Sequence, residues 1–187
     1  MTSPLDPIPL PPRLRAEDRQ VAADRADIRE GRLAHFGLTS ASRPDLDEAA
    51  AALGRAAGAA YAMVNRIGYQ QTFIGLYRAD RPDLPLVGRT MHLDEGYCPA
   101  LLTRTKDLAL HDVYVAARFR SNPVVDQIGI RAYAGARITD PTDGLVLGTV
   151  CFVDTDARHE ADEDAMASLV KEYRDALIPL LLSPSPR

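Results

Sequence analysis

The strongest constraint on this chain is a pair of apolar runs separated by five residues of turn chemistry. Ile130–Thr139 (IRAYAGARIT) and Leu145–Asp154 (LVLGTVCFVD) have the length and composition of strands. Between them, Asp140-Pro-Thr-Asp-Gly144 supplies a proline, two aspartates and a closing glycine, so the second run returns antiparallel to the first. A helix must follow. Met166, Leu169, Val170, Tyr173, Leu177, Leu180 and Leu181 recur at steps of three and four with charged residues between them. Asp162, Glu163 and Asp164 stand near its start, where they complement the helix dipole, and Pro184 and Pro186 stop it. Upstream, Ala60–Asn65 and Tyr69–Tyr77 flank Arg66-Ile-Gly68 and form a second hairpin signal.

The remaining segments fit around these two hairpins. Residues 1–12 carry five prolines and form an extended, flexible arm, and residues 183–187 form a tail. In the expected helix over 13–36, Leu14, Val21 and Ile28 recur every seven residues, a stripe too narrow for a core and suited to a partner helix, such as a symmetry mate. After the loop 37–44, Asp45 or Asp47 is placed to cap a small-residue helix carrying Leu46, Ala49, Ala50, Leu53, Ala56 and Ala57, which ends at Gly58. Gly96–Leu102 predicts a short helix, Leu108–His111 a short strand and Val113–Phe119 a helical turn or two. This order predicts an α+β fold. Terminal helices flank a central, mostly antiparallel sheet, and the middle loops lie over its other face.

Composition removes several classes of function. The 187 residues suit one domain, and 46% hydrophobic with 26% charged residues is a globular balance. A net charge of −4 argues against nucleic acid and anionic membranes as partners, and no apolar run is long enough to span a bilayer. The first twelve residues have neither a basic nor a long apolar region, so no signal peptide is expected. With two cysteines and no disulfide framework, the expected compartment is the cytoplasm.

No histidine pair has zinc-helix spacing and neither cysteine belongs to a CxxC, so no metal site is expected. Cys98, at the start of a short helix in GYCPALL, is either a small buried hydrophobe or a thiol activated by the helix end. Cys151, mid-strand in VCFVD, is read as a structural residue. Arg131 and Tyr133 share one strand face, and Phe152 and Asp154 share a face of the next strand. If those faces coincide, the four form a pocket wall with an arginine for an anionic ligand.

The ordered motifs RLAHFGL, AAYAMVNRIGYQQTFIGLY, GYCPALL, LALHDVYVAARFRSNPVV, GIRAYAGARI and LGTVCFVDTDAR resemble those of bacterial GAF domains over residues 32–182. The resemblance implies a GAF domain over 37–182 that binds a small molecule, and a homodimer or a separate signalling protein as the route out, since no output domain accompanies it. The fold it implies has the N- and C-terminal helices on one face of the sheet and loops and short helices covering a pocket on the other. The candidate ligand residues are Arg131, Tyr133, Phe152 and Asp154 from the sheet and Cys98, His111 and Phe119 from the covering loops. Cofactor identity stays open. The NKxnFxxxDE pattern of cyclic-nucleotide GAF domains is not found, the cysteine–histidine pair of many bilin-binding ones is Cys98-Pro99 here, and a haem would have only His111 as an axial candidate. One alternative is a non-ligand dimerisation module. Another is the free methionine-R-sulfoxide reductase branch, in which Cys98 matches a redox cysteine. That branch needs further cysteines before Cys151, and of its pocket acids only Asp154 is kept, the others falling at Tyr133 and Phe152.

Overall fold

The computed structural model describes residues 25–116, 119 and 127–182; the proline-rich arm, the first half of the expected N-terminal helix with Leu14 and Val21, and the tail lie outside them. Helix α1 (Ala26–His35) and helix α2 (Pro44–Ala57) lead into the hairpin of β1 (Tyr61–Ile67) and β2 (Gln71–Arg78). The two-residue strand β3 (Thr90–Met91), a 3₁₀ turn over Cys98–Leu102 and β4 (Leu108–Leu110) follow. The chain closes with β5 (Ala132–Thr139), β6 (Val146–Asp154) and α3 (Glu163–Leu181). The six strands form one antiparallel sheet in the order β3-β2-β1-β6-β5-β4. Both expected hairpins are present and are joined through β1 and β6 at the centre.

Side-chain alternation sends the two faces of this sheet into different cores. Ala62, Val64, Ile74, Ala134, Val150 and Phe152 face α2 and α3, where they meet Leu46, Leu53, Met166, Val170 and Leu177. Tyr61, Tyr133, Cys151 and Val153 face the other way, toward Tyr97, Cys98 and Leu101. Both faces being covered, β6 is buried along its whole length, and its sequence loses the polar alternation of a half-exposed strand. Tyr173 of α3 donates its hydroxyl to the Ala52 carbonyl at 3.3 Å, tying the two packed helices together.

Local differences from the expected elements have identifiable causes. β1 runs on to Ile67, so the turn falls on Gly68–Gln70 and Tyr69 is not in a strand. Helix α2 opens at Pro44 after Arg43, which has extended backbone, and neither Asp45 nor Asp47 caps it. Asp45 pairs with Arg43, while Asp47 accepts the Leu76 backbone N–H at 2.8 Å and a two-pronged bond from Arg89 at 2.9 Å, pinning the helix to β2. Residues 113–115 make a turn rather than a helix. In α1 the buried side chains are Ala26, Arg29 and Leu33, whereas Ile28 of the seven-residue stripe is 53% exposed. That helix docks by polar contacts: Arg29 Nε donates to the Ile67 carbonyl at 3.2 Å, and Arg32 reaches the buried Asp140 in the β5–β6 turn at 2.6 Å. No helix of the described residues is long and apolar enough to cross a membrane.

Glycine at 75 is what permits α2 to lie on β2. A Cβ there would stand 2.4 Å from the Leu46 carbonyl oxygen, a backbone atom that cannot swing aside. Gly75→Ala is therefore expected to lower stability by about 1–3 kcal/mol in chemical denaturation, the range for overpacking. Gly31→Ala, with open space around its Cβ on α1, should instead be neutral or gain up to about 1 kcal/mol.

Candidate functional site

On the sheet face away from α2 and α3 lies a cavity of about 350 Å³. Tyr61 and Met63 of β1, Gln71 and Phe73 of β2, Tyr133 of β5 and Cys151 and Val153 of β6 form its floor. Its cover comes from the 85–88 and 95–98 segments with Gln127, Ile128 and Ile130. Two polar ties hold the cover. The Tyr61 hydroxyl donates to the Pro85 carbonyl at 2.8 Å, and Gln71 Nε2 donates to the carbonyls of His92 and Glu95 at 2.6 and 2.8 Å. Those two bonds fix the orientation of the Gln71 amide, whose Oε1 then accepts from Asn65 Nδ2 at 3.1 Å.

The deepest chemistry is at the sulfurs. Cys98 Sγ and Cys151 Sγ are 3.5 Å apart, and the Tyr133 hydroxyl donates to Cys98 Sγ at 3.5 Å. Gly135, opposite Cys151 in the β5–β6 register, makes the tyrosine placement possible, because a Cβ there would sit 2.0 Å from the Tyr133 oxygen. The hydrogen bond from Cys151 lowers the Cys98 thiol against the upward push of burial; Thr149, Tyr133 and Asn65 act the same way and bring it to about 6. The same sulfur–sulfur bond, with burial, pushes Cys151 well up, and burial beside Cys98 raises Tyr133 likewise. The hydrogen bonds around the pair favour the thiolate at Cys98 and disfavour it at Cys151, and burial keeps the Tyr133 phenol from ionising readily.

Of the seven residues expected to bind ligand, the structure brings Cys98 and Tyr133 into the cavity lining. The other five stand elsewhere. The register pairs Tyr133 with Val153 and Ala134 with Phe152, so the two expected faces do not coincide. Phe152 lies in the helix-side core, and Asp154 holds Arg158 at 3.0 Å. Arg131, just before β5, is bound by Asp112 at 2.5 Å and lies over the Tyr114 ring, which takes it out of the role of free anion anchor. His111 Nδ1 meets Glu163 at 2.7 Å at the start of α3. Phe119 packs on the Tyr97 ring at 5.7 Å and does not line the cavity.

No arginine, lysine or histidine is among the described lining residues, and Glu95 is their only carboxylate. Among the described residues no three histidines, cysteines or acids group as a metal site. Sequence reasoning missed Tyr61, Met63, Gln71, Phe73, Cys151 and Val153. Their signal was parity within the hairpins, where Tyr61 and Met63 share a face, as do Gln71 and Phe73.

An antiparallel sheet with helices packed on one face and a loop-covered cavity on the other is an α+β architecture. The sequence pattern of the GAF domain matches residues 45–173, and the chain belongs to the GAF domain family. No curated protein matches it in sequence. Among solved structures it is similar to the blue-light absorbing form of the Thermosynechococcus elongatus PixJ GAF domain, with 12% identity, a TM-score of 0.53, and coverage of 89% of this chain and 90% of that one. It is also similar to a free methionine-R-sulfoxide reductase from Neisseria meningitidis in complex with its substrate (14%, 0.52, 87% and 90%). A third is the chromophore-binding domain of a Stigmatella aurantiaca phytochrome (13%, 0.55, 97% and 64%). At these identities the likeness is one of fold.

The His111–Glu163 contact makes a pH prediction. Burial would raise the Glu163 carboxyl, but bonds from the His111 ring and backbone outweigh it and hold the group below its ordinary value. A carboxyl lowered on folding adds stability above its unfolded value of about 4.3, and that stability is lost as pH falls through the folded value. Glu163→Gln should therefore melt below the parent at pH 7, by less than about 1 kcal/mol for this partly exposed pair. The gap should close toward pH 3 in a melting series.

Proposed function

We propose that this domain senses a compact small molecule, mostly apolar and either uncharged or cationic, held in the cavity over β1, β2 and β6. The described part of the cavity lining carries this reading: aromatic and aliphatic walls, a few polar groups (Gln71, Thr90, Gln127 and the Tyr133 hydroxyl) and one carboxylate, Glu95. Ligand sites are concave, mostly apolar and oriented by a few polar groups, and about 350 Å³ falls at the small end of their usual range. Membership in the GAF family supports the reading, as do the structural neighbours, a chromophore-binding domain and a reductase in complex with its substrate. The anionic ligand expected from Arg131 is not part of it, since Asp112 already neutralises that guanidinium.

The signal would leave through a homodimer or a separate signalling partner, and the exposed Ile28 on α1 is a place for such a contact. The reductase reading is weakened by the acids. Asp154, the only one of them kept, is engaged with Arg158 and stands outside the cavity lining.

Native mass spectrometry of the purified chain is expected to show a small molecule bound one to one and released on denaturation. Met63→Trp, which places an indole on the cavity floor, should abolish that adduct while keeping the parent's circular dichroism. Tyr133→Phe should weaken binding about fivefold, the loss of one hydrogen bond. A chain that carries no adduct and binds no apolar or cationic fragment in saturation-transfer NMR would instead be an interaction module. Binding that survives Met63→Trp would put the ligand elsewhere.

A further inference from the structure

We propose that Cys98 and Cys151 form a dithiol–disulfide couple oxidised by small hydroperoxides that enter the cavity, with Cys98 as the attacking thiol and Cys151 as the resolving one. The two residues are 53 positions apart in sequence, on a 3₁₀ turn of the cover and on the central strand. Folding places their sulfurs 3.5 Å apart, both buried (6% and 1% exposed) and both on the cavity wall. A disulfide needs about 2.05 Å, so closure requires a shift of roughly 1.5 Å. The short 3₁₀ turn that carries Cys98 is the element to make it, because β6 is locked between β1 and β5.

The surroundings divide the labour between the thiols. Around Cys98 stand groups that stabilise a thiolate: the Cys151 thiol, the Tyr133 hydroxyl, Thr149 and Asn65. The bond to Cys98, with burial, pushes the Cys151 thiol up, which suits it to the resolving role. The Cys98 thiolate attacks one peroxide oxygen; the S–O bond forms, the O–O bond breaks, and the alkoxide leaves and takes a proton to become an alcohol. Cys98 is now a sulfenic acid. The Cys151 sulfur attacks it; the S–S bond forms, the S–O bond breaks, and hydroxide departs with the Cys151 proton as water. In sum, two thiols and one hydroperoxide yield a disulfide, an alcohol and water. Thiol–disulfide exchange with an external dithiol restores both cysteines. The couple needs access to the cavity and no bound ligand, so its test is independent of the proposed sensing role.

The test uses the full chain, reduced and desalted, with hydrogen peroxide as the small probe and cumene hydroperoxide as a bulky one. Free thiols counted after denaturation should fall from two to none, with the intact mass lower by two hydrogens and one cross-linked peptide joining Cys98 to Cys151. Dithiothreitol should reverse all three changes. Hydrogen peroxide should outpace the bulky probe. The rate should rise with pH through about 6 and then level, following the Cys98 thiolate. Cys151→Ser should accumulate a dimedone-trappable sulfenic acid at Cys98, and Cys98→Ser should slow the reaction of Cys151 by more than about tenfold. Two thiols that survive peroxide in the native parent would overturn the proposal. So would a cross-link between chains, Cys98 passing to the sulfinic acid without a bridge, or a rate that rises only near pH 8.5.

Discussion

The pairing of β1 with β6 decides the rest of this structure. It joins the N-terminal hairpin to the C-terminal one, and its register sets Met63 beside Cys151 and Ala62 beside Phe152. Alternation then makes one face a bed for α2 and α3 and the other a floor for the cavity. A slip of one residue would exchange the faces, sending Phe152 toward the cover and Cys151 under the helices. The two faces resist that exchange because they are filled differently. Alanines 132, 134 and 136 let α3 approach closely on one side, and Tyr61 and Tyr133 fill space on the other.

From that register the chemistry of the cavity follows. From β6 it is Cys151 and Val153 that reach it, and the cysteine meets Cys98 from the cover. Tyr133 leans onto the same sulfur because Gly135 leaves it room. The arginine that suggests an anion site, Arg131, is spent on Asp112, and Arg158, on Asp154 and the Ala57 carbonyl, and Arg32, on Asp140, likewise serve the frame. Charge builds the edges of the domain, and the cavity is left mostly apolar.

The elements were legible wherever local chemistry speaks for itself. The Asp140–Gly144 turn, the spacing of Met166 through Leu181 and the stop at Gly58 all name their elements from sequence alone. The family, too, is legible from the order of motifs. The site was legible only in part, for Cys98 and Tyr133, because β6 is apolar on both sides and VCFVD carries no mark of which side meets the helices. Phe152 and Asp154 were assigned to the wrong face for that reason. Arg131 and His111 stand outside the cavity for a different reason: their partners, Asp112 and Glu163, come from other segments, and the sequence shows polar groups without showing what binds them. The thiol pair lies beyond any local pattern, since its members are 53 positions apart with β4 and β5 between them.

A xenon-pressurised crystal tests the placement of the pocket most directly, because xenon enters apolar cavities whatever the natural ligand is. The account predicts one strong site over the sheet, bounded by Met63, Tyr133, Cys151 and Val153. Xenon found only beside Phe152 under the helices, or nowhere on this face of the sheet, would contradict it.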